Sequence, residues 1–213
     1  MRNFHKLLLI AGTTLAFGAA ALANPITGVI YLNTPNSHDA SDIANMGPTL
    51  ASASFVVGPG GIDFTSPPNA FTAAGFLNNP TFTNPVNGFS SSSSIANAEV
   101  VLNGQLMLNA GSNSFVIGHD DGIVVSIPGI GYTLSQPGPT GFVNTPFNVN
   151  NPGAAGLFNF TVDYAECCSP PADLLFQVNT GTVGAVPEPN SALLLGTGLL
   201  LGLGGLAAVK FRS

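Results

Sequence analysis

The sequence predicts an all-β protein: an antiparallel β-sandwich of jelly-roll type, with a signal helix before it and a transmembrane helix after it. Three observations predict the sandwich. Apolar and polar residues alternate with a period of two in several short segments, and clusters of Gly, Pro, Asn and Ser separate those segments. No helical period is sustained before the C-terminal apolar segment. Strands with one apolar face bury that face against a second sheet.

The first 23 residues have the three parts of a secretory signal peptide. Arg2 and Lys6 supply a positive n-region, and Leu7–Phe17 forms an apolar h-region. A small-residue cleavage site, Ala21-Leu22-Ala23, follows this short apolar stretch, which favours a cleaved signal over a membrane anchor. The mature chain is therefore expected to begin at Asn24 and to be exported.

The strands of the mature chain are predicted from its alternating segments. Alternation is complete from Phe158 to Tyr164, and Leu174–Val178 repeats it. The other predicted strands are Ile26–Leu32, Ser52–Val57, a strand through Leu102, Leu106 and Leu108, Ser114–Gly118, Ile123–Ile127 and Tyr132–Ser135. Turn-forming residues dominate Gly58–Ser94, so we expect long loops around short strands there, with Ser90–Ser94 as a flexible linker.

The charges of the chain are separated by region. All four cationic residues lie in the terminal segments, as Arg2, Lys6, Lys210 and Arg212, whereas residues 24–189 hold all ten carboxylates. Nucleic-acid binding requires cations that neutralise phosphates, and binding to an anionic membrane surface requires them too. Neither is expected of the mature domain, which we place at residues 24–185 and call the ectodomain.

The C-terminal segment has the length and polarity of a membrane span. Ser191–Val209 contains 19 residues and no charge, enough to cross the hydrocarbon core as a helix. Lys210 and Arg212 follow at once, so the positive-inside rule predicts that the tail, residues 210–213, stays in the cytoplasm.

The residues before this span complete a recognisable signal. Val186-Pro187-Glu188-Pro189, the Gly- and Leu-rich span and the basic tail together resemble the PEP-CTERM sorting signal of exopolysaccharide-producing Gram-negative bacteria. The resemblance covers residues 186–213. It implies that an exosortase, a membrane cysteine protease, processes an inner-membrane-anchored precursor near Pro187–Pro189. The product would reach the cell surface or the extracellular matrix.

The segment His119-Asp120-Asp121-Gly122 lies between two predicted strands. Asp-Gly is a favoured hairpin turn, because Gly adopts positive φ and Asp tolerates the neighbouring position. Two adjacent carboxylates with nearby carbonyl groups are also suited to an oxygen cage for Ca²⁺, although the D-x-D-x-D-G spacing of an EF-hand is absent. A polar turn and a calcium site are both open on the residues alone.

A second resemblance bears on this segment. "GQLMLNAGSNSFVIGHDDGIVVSIPG", followed by "FTVDYAECCSPPADLLFQV", is similar to the core of the protective-antigen and flocculin-type β-sandwich. In calcium-dependent lectins of that family, two successive aspartates joined by a cis peptide bind Ca²⁺, which holds sugar hydroxyls. The resemblance implies that Asp120 and Asp121 occupy those positions. It does not assign the aromatic residue that stacks on the sugar, since the chain has no Trp.

Cys167 and Cys168 are adjacent, and an exported pair should be oxidised. We favour a vicinal disulfide that forms a stiff turn, although neighbouring Cα atoms are closer than in ordinary disulfides. It could also give a small apolar platform beside a ligand. Intermolecular disulfides are the alternative, and a zinc site would need scattered His38 and His119 as further ligands.

The features together predict a surface or matrix protein with a structural or adhesive role. Calcium-dependent binding of extracellular polysaccharide is the expected activity, and no catalytic residues are predicted. Two alternatives stay open: a hydrolase acting on extracellular polysaccharide, and a matrix scaffold with no specific ligand. Carboxylates at the separation of a glycosidase pair would favour the hydrolase.

Overall fold

Two antiparallel β-sheets face each other across an apolar core. The computed structural model describes residues 25–34, 39–40, 49–58, 61–66, 68–178 and 182–183. The first sheet contains β1 (Thr27–Leu32), β2 (Ala51–Val56), β4 (Thr83–Val86), β5 (Asn97–Leu108), β7 (Gly122–Ile127), β8 (Tyr132–Gln136), β10 (Gly156–Cys167) and β12 (Thr182–Val183). The second contains β3 (Asp63–Ser66), β6 (Gly111–His119), β9 (Val143–Asn151) and β11 (Ala172–Val178). A single helical turn, α1, spans Ala73–Phe76.

The strand order places β5 and β10 at the centre of the first sheet. That order is β4-β2-β1-β5-β10-β7-β8, with β12 also paired to β5, and the second sheet runs β3-β11-β6-β9. Strand pairing is antiparallel throughout the described residues. The division into eight and four strands is less even than in an eight-stranded jelly roll, so the two-sheet prediction is confirmed without that finer topology.

Aromatic rings fill the space between the sheets. Phe115, Phe147 and Phe176 come from three neighbouring strands of the second sheet and stack with centroids 5.2–6.0 Å apart. Phe160 of the first sheet meets Phe176 at 5.9 Å, and this contact joins the two layers. The alternating pattern therefore puts one face of each sheet into a common core.

The predicted strands are confirmed. The differences between prediction and structure have physical reasons. β9 was not predicted, because Pro146 and four Asn residues obscure its alternation, although Phe147 and Val149 are buried. Ser90–Ser94 is not a linker: Ser91 and Ser93 accept hydrogen bonds from the first residues of α1.

Two edge strands carry prolines. Pro146 lies in β9, which forms one edge of the second sheet. Pro85 lies in β4, an edge of the first sheet, where the pairing with β2 also shifts register between Ser52 and Ser54. Proline lacks the backbone N–H that a central strand needs, so both positions suit an edge.

Several predictions lie outside the described residues. They are the signal peptide 1–23, the motif Val186–Pro189, the span 191–209 and the basic residues Lys210 and Arg212. Within the part of the chain that the structure describes, no helix is long and apolar enough to span a membrane.

Candidate functional site

The segment with two aspartates is a corner between the sheets. β6 ends at His119 and pairs with β9 and β11, whereas β7 begins at Gly122 and pairs with β8 and β10. The hairpin interpretation is therefore wrong, because the flanking strands belong to different sheets. Asp121 has φ of 73°, a left-handed conformation that Asp tolerates. The positive φ therefore falls on Asp121 and not, as the hairpin interpretation predicts, on Gly122.

His119 is buried beneath this corner and supports it. Its Nδ1 lies 2.7 Å from the Asp121 carbonyl oxygen, which accepts the hydrogen bond. Its Nε2 lies 3.1 Å from Thr145 Oγ1 in β9. Both ring nitrogens are engaged with protein groups, so His119 has no nitrogen left for zinc, and His38 lies outside the described residues.

The Asp121 carboxylate joins two neighbouring segments. The side chain is only 8% exposed. Oδ2 accepts a 2.8 Å hydrogen bond from the Cys167 N–H, and Oδ1 accepts one of 3.3 Å from the Thr140 N–H. The Asp121 N–H donates in turn to the Thr140 carbonyl at 2.8 Å. Asp121 thus lies between the loop that follows β8 and the end of β10.

Asp120 is the more accessible of the two aspartates. Its side chain is half-buried, and its N–H donates to the Asp173 carbonyl at 2.9 Å. Burial, together with the neighbouring carboxylates of Asp121 and Asp173, raises the pKa of Asp120 to about 6. Several negative charges therefore share one end of the sandwich, within a region whose sequence contains no Lys or Arg.

Glu166 brings a further carboxyl group to this corner, which the sequence alone does not place beside the aspartates. It is 1% exposed, and one oxygen accepts a hydrogen bond from the Tyr164 hydroxyl. Burial, reinforced by Asp121 and Asp120 and opposed by the Tyr164 hydrogen bond, raises the pKa of Glu166 to about 9. Glu166 is therefore protonated at neutral pH. Its place in the alternation, two residues after Tyr164 on the core side of β10, was the signal for burial.

An open groove of about 400 Å³ lies over the aspartates. Asp120 and Asp121 line it together with residues 139–141 and 167–171. Cys167 and Cys168 form a disulfide with each other, with Cα atoms 3.7 Å apart, and Cys168 has φ of 75°. The cis peptide of the described residues joins Pro170 to Pro171, so the Asp120–Asp121 bond is trans and differs from the family pattern.

Phe142 follows one lining segment and was also missed. Its ring is 50% exposed and packs on β6, where a Cβ added to Gly118 would lie 3.0 Å from the ring. Gly141, the residue before Phe142, lines the groove together with Asp120 and Asp121. An exposed aromatic ring therefore lies near the acidic corner.

The described residues contain no group of three or more His, Cys, Asp or Glu side chains arranged to hold a metal ion. Ca²⁺ takes six to eight oxygen ligands, including backbone carbonyls and water. The corner offers the accessible carboxylate of Asp120 and the remaining lone pairs of Asp121. Any metal bound there needs carbonyl and water oxygens to complete its shell.

Comparison with known proteins shows similarity of fold. The PA14 domain of the antifreeze protein MpAFP is 17% identical, with a TM-score of 0.53, over 76% of this chain and 87% of that chain. A PA14 sugar-binding domain from an RTX adhesin is 18% identical, with a TM-score of 0.52, over 76% of this chain and 95% of that one. No family model and no curated protein sequence matches the chain. The chain is therefore similar in fold to PA14 domains.

Proposed function

We propose that the ectodomain binds carbohydrate at the cell surface or in the extracellular matrix, through a Ca²⁺ ion held at Asp120 and Asp121. The C-terminal signal would deliver it there. The observation that carries the proposal is the open groove with carboxylates at its base. Asp121 and Asp173 both repel the Asp120 carboxylate, and residues 24–189 supply no cationic side chain to relieve that repulsion.

A divalent cation suits this electrostatic situation. Like charges raise the pKa of a carboxyl group, and a bound cation favours the ionised form instead. Asp120 would supply the accessible carboxylate, and Asp121 a carboxylate whose two oxygens each already accept one backbone N–H hydrogen bond. Bound calcium would supply coordination positions for sugar hydroxyls, while the protein determines which sugar fits.

The comparisons favour carbohydrate as the ligand. One of the similar PA14 domains is named as a sugar-binding domain of an adhesin. The exposed ring of Phe142 near the corner is the kind of apolar surface on which a sugar ring can pack. A hydrolase would need a carboxyl group on each side of the scissile bond. Asp120 and Asp121 are consecutive, so a binding role fits them better.

Calcium is expected to raise the melting temperature of the full-length protein purified in detergent. At a hundredfold excess over Kd, a ligand specific for the folded state stabilises it by about 2.7 kcal/mol. This corresponds to roughly 5–10 °C for a chain of this size. Melting is measured in millimolar calcium and in chelator for the wild type, for Asp120→Asn, and for Asp63→Asn, an exposed carboxylate in β3.

The proposal requires Asp120→Asn to lose the calcium effect and Asp63→Asn to retain it. Binding to a glycan array should disappear in chelator together with that effect. A wild-type melting curve that does not respond to calcium would contradict the metal site. Release of shorter sugars from an array polysaccharide would identify the hydrolase instead.

The sorting signal is tested separately. Exosortase processing near Pro187–Pro189 should remove the span 191–209 from the exported protein. Intact mass spectrometry of that protein should show loss of the C-terminal segment. A variant with Ala at Pro187, Glu188 and Pro189 should retain the segment and stay in the membrane fraction. Export of the full-length variant to the surface would contradict this route.

A further inference from the structure

One lining segment of the groove is apolar and rigid. Residues 167–171 present the Cys167–Cys168 disulfide and the consecutive prolines Pro170 and Pro171. Cys168 is exposed, whereas Cys167, the last residue of β10, is buried. Among the residues that line the groove, the polar hydroxyl on this side belongs to Ser169.

Hydrogen bonds fix this segment before any ligand arrives. The Cys167 N–H donates to Asp121 Oδ2 at 2.8 Å, and the Cys168 N–H donates to the Ala96 carbonyl at 2.9 Å. The Ser169 N–H donates to the Cys167 carbonyl at 2.9 Å. A preorganised surface loses little conformational entropy when a ligand binds, so such a surface is suited to recognition.

The chemistry of the groove restricts what fits it. Its base carries the carboxylates of Asp120 and Asp121, and the segment on the other side contributes Pro139. The region has no cationic side chains, and three carboxylates at this corner outweigh the charge of one bound Ca²⁺, so the groove disfavours an anionic ligand. It matches an uncharged molecule with a hydroxyl-bearing edge and apolar C–H faces. A neutral pyranose has that distribution of polar and apolar groups.

We infer that the Cys167–Cys168 disulfide and Pro170 form the contact surface for the C–H face of a neutral pyranose residue in this groove. The inference rests on the proposed carbohydrate binding at Asp120 and Asp121 and names the residues that select the sugar. The disulfide has a recognition role here in addition to closing the turn. Because its sulfur atoms carry no charge, the surface discriminates by the shape of the sugar face.

The test uses methyl glycosides of glucose, galactose and mannose, with glucuronate as the anionic comparison. Calorimetric titration in calcium is done on the full-length protein in detergent. Two variants trim the surface: Pro170→Ala, which keeps the following proline, and the double variant Cys167→Ala/Cys168→Ala. Pro80→Ala, which lines a separate groove, is the matched control.

Both surface variants should bind the preferred neutral glycoside at least tenfold more weakly, while Pro170→Ala keeps the wild-type calcium-induced rise in melting temperature. Pro80→Ala should bind like the wild type. Unchanged glycoside affinity in Pro170→Ala and in the double variant would overturn the inference and leave the proposed function intact. Preference for glucuronate would overturn the assigned ligand class. A wild-type protein that binds neither calcium nor any glycoside would overturn both.

Discussion

Replacement of Glu166 by glutamine should stabilise the protein by up to about 5 kcal/mol at pH 8 in chelator, where one unit of pKa shift corresponds to about 1.4 kcal/mol. Glu166 is almost fully buried, and burial raises its pKa from the usual 4.5 to about 9. The unfolded chain ionises this group at pH 8 and the folded chain does not. Glutamine has nearly the same shape and no charge, so it removes that difference.

The pH dependence determines whether this account is correct. The raised pKa stabilises the fold fully below about 4.5, and this contribution is lost as pH rises toward 9. The advantage of Glu166→Gln should therefore be absent at pH 4 and should grow up to about pH 9. Urea unfolding at a series of pH values measures it. A difference between variant and wild type that does not vary with pH would mean that Glu166 is not protonated in the fold.

Replacement of Asp163 by asparagine should also stabilise the protein, by up to about 4 kcal/mol, over a different range of pH. Asp163 lies in β10, is 2% exposed, and is opposite Val101 and Val124 in the neighbouring strands. Its Oδ1 has no hydrogen-bond partner within the described part of the chain. Burial raises the pKa of Asp163 from 3.8 to about 7.

As for Glu166, the stabilising contribution of Asp163 is lost as pH rises, but the pH range over which it is lost is different. The stabilising contribution of Asp163 is present below about 3.8 and is lost as pH rises through 7. The advantage of Asp163→Asn should therefore reach its full size by about pH 8, while that of Glu166→Gln still increases. Asp63→Asn, on an exposed strand position, should show neither trend. An Asp163→Asn gain that continues to grow between pH 8 and pH 9 would contradict the assignment.

The sequence pattern predicts strands well and strand partners poorly. Alternation from Phe158 to Tyr164 is sufficient to identify β10, because one face of it is buried. It contains no information on which strand lies beside it. The segment at Asp120 and Asp121 therefore has the turn residues of a hairpin, although the strands on either side belong to different sheets. Pairing depends on contacts between distant residues, which one sequence does not display.

The candidate site was likewise predictable in its local patterns but not in its contacts between distant residues. Adjacent aspartates and adjacent cysteines are visible as local patterns, whereas their proximity in one groove depends on Asp121 and Cys167, which are 46 residues apart. Asp173 and Glu166 reach the same corner from β11 and β10, and the alternation that indicates burial of Glu166 does not show which carboxylates lie beside it. Phe142 is conspicuous only because the ring lies on Gly118 in the folded chain.

The prolines of the edge strands have a consequence for crowding. Exposed sheet edges can pair with other copies of a chain, and many proteins prevent this with lysine side chains at the edge. The region between residues 24 and 189 contains no lysine, so that form of protection is missing here. Pro85 and Pro146 instead remove a backbone donor from one edge of each sheet, and the register shift beside Pro85 distorts the edge further. Copies of such a chain can be present at high concentration while these two edges resist pairing into fibres.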